Sequence, residues 1–159
     1  MRIRSRCINC VVCFVVWIAS GVPYAITAHA AESLPSGDCP QPRFTGKAPQ
    51  DYLAKTNPVA PTAESLAEGE RLFTGKSKTL PCAYCHGVKG DGKGYLAAQY
   101  DPRPRNFLCT ATINGIEDGQ LFWIIQNGSP GTAMPPSGNL TDIQIWSIVN
   151  YLRKLAQPQ

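Results

Sequence analysis

Cys82-Ala83-Tyr84-Cys85-His86 is the stretch on which the reading of this chain turns. Two thiols three positions apart can each add to one vinyl group of a single haem, and a histidine directly after the second thiol is then carried beneath the iron as its proximal ligand. The order matters, because a histidine placed elsewhere is not delivered to the metal by the thioether bonds. The same cysteines also suit half of a zinc site or a thioredoxin-like redox pair. A zinc site wants four ligands, and no second Cys/His cluster remains once the N-terminal segment considered below is removed. The stretch therefore predicts one covalent haem c held by Cys82 and Cys85, with His86 on the iron.

A haem needs a second strong ligand if its coordination is to be closed. Downstream, Gly131-Thr132-Ala133-Met134-Pro135-Pro136 presents a methionine between residues that suit a rigid loop. A lone methionine is usually gap filler. Here elimination favours a ligand, since beyond residue 30 Met134 is the only methionine and His86 the only histidine. Thioether sulfur from Met134 is the expected sixth ligand, against an open site or a lysine.

The surroundings fit an all-α domain. Thr62 is placed to cap a helix with Glu64 in its first turn, and Leu66, Gly69 and Phe73 share a face. Glycine is costly inside a helix, so Gly69 predicts close approach of another backbone, a tolerated surface glycine being the alternative. Glu117 to Asn127 reads as a second helix stopped by Gly128, with an apolar block from Leu121 to Ile125. Trp123 in that block is a candidate indole donor to a haem propionate. A last helix starts at Thr141, with Gln144 completing a capping box, Ile143 to Leu155 forming an apolar face, and Arg153 and Lys154 near the negative end of the dipole. Between the first two helices, Gly87 to Gly94 lacks the context of a phosphate loop and is read as turns around a haem edge. In Asp101-Pro102-Arg103-Pro104-Arg105-Asn106-Phe107, a proline carbonyl is the expected acceptor for the Nδ1 proton of His86, and Arg103 or Arg105 is a candidate propionate partner.

The rest of the chain sets the context. With 159 residues and 43% hydrophobic composition, one buried core plus appendages is expected. Residues 1–30 read as a signal peptide: Arg2, Arg4 and Arg6 precede an apolar run, and Ala28-His29-Ala30 has the small-x-small pattern of a cleavage site. An uncleaved membrane anchor is the competing reading, because Ile8 to Ile26 is close to the ~20 residues that span a bilayer. Cys7, Cys10 and Cys13 leave with the peptide. Residues 31–61 are a Pro-rich extension, either packed on the domain or serving as a docking strap, and residues 62–157 hold the domain itself. In an oxidising compartment the two remaining thiols, Cys39 and Cys109, are expected to pair, with separate buried thiols as the alternative. Without its leader the chain has twelve basic and eleven acidic residues, so the formal +4 of the whole supports no nucleic-acid surface.

On these residues the chain resembles the monohaem class I cytochromes c over roughly Thr62 to Leu155. The attachment stretch, the Met134-Pro135 loop and the flanking helices carry the resemblance. It implies the cytochrome c fold, with three or more helices and long loops enclosing one covalently bound haem. It also implies that Gly69 and Phe73 cross a pair such as Ile148 and Tyr151, and that the carbonyl holding His86 belongs to Pro102 or Pro104. The expected function is a periplasmic one-electron carrier, not itself an enzyme, that exchanges electrons with a dehydrogenase, a cytochrome complex or a terminal oxidase and has no stable membrane insertion after cleavage; a carrier that serves as a subunit of such an oxidoreductase complex is a close variant. A haem c enzyme or gas sensor with a labile methionine is the rival reading.

Overall fold

A computed structural model describes residues 39, 41, 46–75 and 80–158 of the chain. The signal-peptide reading and much of the Pro-rich extension lie outside these residues. Among the described residues six α-helices follow in order: α1 (Gln50–Leu53), α2 (Ala63–Phe73), α3 (Ala83–His86), α4 (Thr110–Asn114), α5 (Asp118–Asn127) and α6 (Asp142–Leu155), with a short 3-10 turn at Ala97–Gln99. Among the described residues there is no β-strand, so the expected all-α class holds.

The caps form as the sequence dictates. The Thr62 side chain accepts from the Ser65 N–H at the start of α2. At α6, Thr141 accepts from the Gln144 N–H while the Gln144 side chain accepts from the Thr141 N–H, closing the capping box. Gly128, at φ 78°, ends α5 in a conformation that costs other residues energy.

α2 and α6 cross at Gly69. A Cβ added there would run into the Ser147 carbonyl oxygen and lie 2.8 Å from the Tyr151 Cβ, so the close-approach reading is correct. Ser147, rather than the expected Ile148, is Tyr151's partner in receiving the glycine. Ile148 is 1% exposed and turns into the core with Phe73, Ile145, Val149 and Leu152. Burying a large apolar side chain of this kind contributes about 1.5–3 kcal/mol. Phe73 also stands 5.5 Å from the Tyr151 ring and 6.0 Å from Phe107. Ile143 departs from the expected apolar face of α6: it lies in the first turn, ahead of the Gly69 contact, and is 68% exposed.

The extension beyond Gly46 packs along α5 and α6. Tyr52 lies 6.2 Å from the Phe122 ring and donates its hydroxyl proton to Gln126 Oε1 at 3.0 Å, and Phe122 in turn stacks on Trp146 at 4.3 Å. Gln120, fully buried within α5, accepts from the Ala48 N–H at 2.8 Å. Asn57 donates to the Trp146 carbonyl and to Asn150 Oδ1, while Asn150 donates back to the Val59 carbonyl. Of these bonds, the one from Ala48 satisfies a backbone N–H on a buried residue that lies outside any helix. Cys39 and Cys109 form a disulfide with 5.5 Å between their Cα atoms. At the far end of α6, Arg153 pairs with Asp118 Oδ1 and also donates to the carbonyls of Ile113 and Ile116, tying the helix to the α4–α5 junction.

Gly69→Ala should be destabilising by about 2–3 kcal/mol, since the obstacle is backbone that cannot move without parting two helices. Urea unfolding of the haem-loaded protein tests this, with a lowered midpoint at unchanged slope as the expected result.

Candidate functional site

Pro81 and Cys82 lead into α3, a single helical turn. The Cys82 carbonyl accepts from both the Cys85 and the His86 N–H groups, so the two thiols stand one turn apart with His86 directly after. Cys82 and Cys85 are not joined to one another. Burial pushes the Cys82 thiol up to about 11, with the neighbouring Cys85 charge adding to the rise and the residue's own backbone hydrogen bond opposing it. Burial raises Cys85 as well. Both are therefore neutral thiols near pH 7, the reverse of the depressed thiol that a dithiol redox enzyme uses.

After α3 the chain turns through Gly87, Gly90 and Gly92, all at positive φ, and the His86 carbonyl accepts from the Gly92 N–H at 2.8 Å. The expected set of turns is present. It delivers the segment from Pro102 to Phe107 to the side of the histidine. His86 Nδ1 lies 2.9 Å from the Arg105 carbonyl oxygen, which accepts a hydrogen bond from Nδ1–H, keeps the proton on that nitrogen and leaves Nε2 as a lone-pair donor. This corrects the expectation of a proline carbonyl. The two prolines stiffen the approach, and the residue after Pro104 presents the acceptor. The Phe107 ring packs 4.7 Å from the imidazole. Burial holds His86 below its ordinary range and the Arg105 charge acts in the same direction, against the pull of the carbonyl, so the ring is a neutral base suited to a metal.

Met134 reaches the site on a loop tied to itself. Its carbonyl accepts from the Ser129 N–H at 3.1 Å, and its N–H donates to Thr132 Oγ1 at 3.2 Å. Thr132 in turn donates through its N–H and hydroxyl to the Ser129 carbonyl. Gly128 permits the closure, because a Cβ there would lie 2.8 Å from the Met134 carbonyl oxygen.

Cys82, Cys85, His86 and Met134 all border one cavity of about 340 Å³. That lies within the about 300–1,000 Å³ usual for ligand sites. Phe73, Leu121, Ile125, Ile148 and Leu152 supply apolar wall. The residues fit a haem on two counts: the donor set is a thiol pair with imidazole and thioether, and the wall carries an orphan polar atom. Ser129 Oγ is buried with no hydrogen-bond partner among the described residues, although Ser129 borders the cavity. A haem carboxylate is a group that would satisfy it.

Other expected contacts sort differently. Arg103 and Arg105 both border the cavity; Arg103 donates to the Ala97 carbonyl and Arg105 to the Gln41 carbonyl. Trp123 does not border it, because the α5 positions that face inward are Gln120, Leu121, Ile124 and Ile125. The site residues that the sequence reading missed are Gln41, Gln120 and Ser129. Gln120 was detectable as a lone amide beside an apolar helical block. Gln41 and Ser129 sit in polar, Pro- and Gly-rich stretches where nothing marks them.

A helical shell around a cavity bordered by C-x-x-C-H and a methionine loop defines a covalent haem protein. The chain belongs to the cytochrome c family: it matches the Cytochrome c domain over residues 66–156. That domain carries haem c on its cysteines and serves haem-based electron transfer. Among solved structures, a chain of the reducing HAO-like protein complex of Kuenenia stuttgartiensis is similar in fold, with a TM-score of 0.54 at 23% identity. The match covers 66% of this chain and 49% of that one, so the chain spans about half the length of its relative. A search of curated proteins finds no match.

The orphan hydroxyl provides a test. Ser129→Ala should destabilise the haem-loaded protein by about 1.5–3 kcal/mol, the usual worth of a hydrogen bond to a charged group. A variant of equal or greater stability in thermal unfolding would mean that the hydroxyl has no partner in the loaded state.

Proposed function

We propose that the chain is a one-electron carrier of the bacterial cell envelope, with one haem attached through Cys82 and Cys85 and held axially by His86 and Met134. The observation that carries this reading is that the four groups border a single cavity, although Met134 lies 48 residues beyond His86 in sequence. When bound, haem supplies the Fe(III)/Fe(II) couple, and a His/Met pair favours a high potential. The chain does the rest. The Arg105 carbonyl orients the imidazole, the Gly128 to Met134 loop holds the thioether, and the apolar wall keeps water from the metal. With both axial positions filled, no substrate needs access to the iron. The neutral thiols of Cys82 and Cys85 are consumed in attachment and take no further part.

The Cys39–Cys109 disulfide supports an oxidising compartment, and with it an exported chain working in the periplasm. Its partners there are redox proteins, a dehydrogenase, a cytochrome complex or a terminal oxidase, met through a small and short-lived interface.

Carbon monoxide tests the ligation. The reduced native protein should react slowly and incompletely at neutral pH, and Met134→Ala should react rapidly. Fast reaction of the native protein would favour an enzyme or sensor, and a native spectrum in the variant would remove Met134 from the iron. N-terminal sequencing of the protein recovered from cells should begin at Ala31; a chain that retains residues 1–30 would instead be anchored.

A further inference from the structure

We infer that the segment carrying Cys39 and Gln41 is a brace for the proximal histidine, and that Gln41 is a positioning residue that tunes the iron through the Arg105–Asn106 peptide. The inference rests on the axial role proposed for His86. It starts from one planar group. The carbonyl of Arg105 and the N–H of Asn106 belong to the same peptide unit, whose two ends cannot turn independently. The carbonyl end accepts from His86 Nδ1 at 2.9 Å, and the N–H end donates to Gln41 Oε1 at 2.6 Å. The three groups form a relay from imidazole through peptide to amide. Each bond in such a chain polarises the next, so acceptance by Gln41 makes the Arg105 oxygen a stronger acceptor for the imidazole proton.

Gln41 is held where the relay needs it. It is 8% exposed, and its own carbonyl accepts from Arg105 Nη1 at 3.1 Å, so backbone and side chain both grip the same two residues. Two positions earlier, Cys39 is bonded to Cys109, which follows the relay by three residues. From the opposite side the Gly90 carbonyl accepts from the Phe107 N–H at 2.7 Å. The Arg105–Asn106 peptide is thus fixed between the turn after α3 and a segment far away in sequence. A stronger acceptor gives the imidazole more anionic character and favours Fe(III); weakening the relay should therefore favour Fe(II).

The test compares haem-loaded Gln41→Leu and Gln41→Glu with the parent by spectroelectrochemistry and by exchange of the His86 Nδ1 proton in NMR spectra of the reduced state. Gln41→Leu should raise the reduced-to-oxidised ratio at a fixed applied potential about tenfold, a 59 mV shift for one electron, and speed proton exchange. Gln41→Glu, which puts a stronger, anionic acceptor in the same place, should keep exchange slow and move the midpoint the opposite way, below that of the parent. A parental midpoint and parental exchange in Gln41→Leu would overturn the inference. Should that variant not fold, the parent decides: its exposed Cys39 permits reduction of the disulfide by a phosphine and capping of the Cys39 thiol, which prevents reclosure on the buried Cys109, while thioether bonds survive. An upward shift of midpoint with faster exchange then supports the brace, and no change in either overturns it. If the His86 ring protons of the reduced parent lack the large ring-current shift of a group beneath a porphyrin, the axial reading itself falls, and the inference with it.

Discussion

Two helices can approach to backbone contact only where one of them lacks a side chain, and in this chain that place is Gly69. The Ser147 carbonyl and the Tyr151 Cβ occupy the space that any other residue would fill. From this crossing the rest follows by packing. Phe73, one turn beyond Gly69, is brought against Tyr151 and Phe107, and Phe107 is brought against His86. The core therefore continues without a break from the helix crossing to the imidazole. A group bound in the cavity would complete that core, since the walls that Phe73, Ile148 and Leu152 turn toward it are apolar.

Buried amides do the work of joining parts that hydrophobicity alone would leave unspecified. Gln120 and Asn150 pair with the backbone of the segment before α2, and Gln41 pairs with the backbone beside His86. Apolar contact is tolerant of sliding, whereas a buried amide left unpaired costs about 1–3 kcal/mol and so sets a register. Arg153 serves likewise at the end of α6, with Asp118 and two carbonyls sharing one guanidinium. The described part of the Pro-rich extension beyond Gly46, which has no helical periodicity of its own beyond α1, is held by these bonds, and Cys39 is held by the disulfide.

Much of the site was legible because it is written in local spacing. The C-x-x-C-H stretch needs only one helical turn to bring its three groups into line, and the helix caps and stops act within four residues. That Met134 borders the same cavity as His86 follows the expectation drawn from scarcity, since past residue 30 the chain has one methionine and one histidine. The pairing of Cys39 with Cys109 was readable by the same elimination. What failed were statements about which member of a stiff segment faces inward. The acceptor for His86 is Arg105 and not a proline, and Trp123 turns away from the cavity while Gln120 and Ile124 border it. Each of these depends on rotation by one residue, which composition does not encode.

By itself, then, the sequence marked the three longest helices and their ends, the C-x-x-C-H stretch as the candidate attachment point and a short inventory of groups able to hold a metal. All of these arise from interactions within a few residues or from counting. The tertiary structure alone decided that Ser147 receives Gly69, that the Arg105–Asn106 peptide is gripped between His86 and Gln41, and that Ser129 Oγ is buried at the cavity wall without a partner among the described residues. These contacts join residues from 19 to 78 positions apart, and their geometry exists only after the helices have packed and the chain between them has found its path.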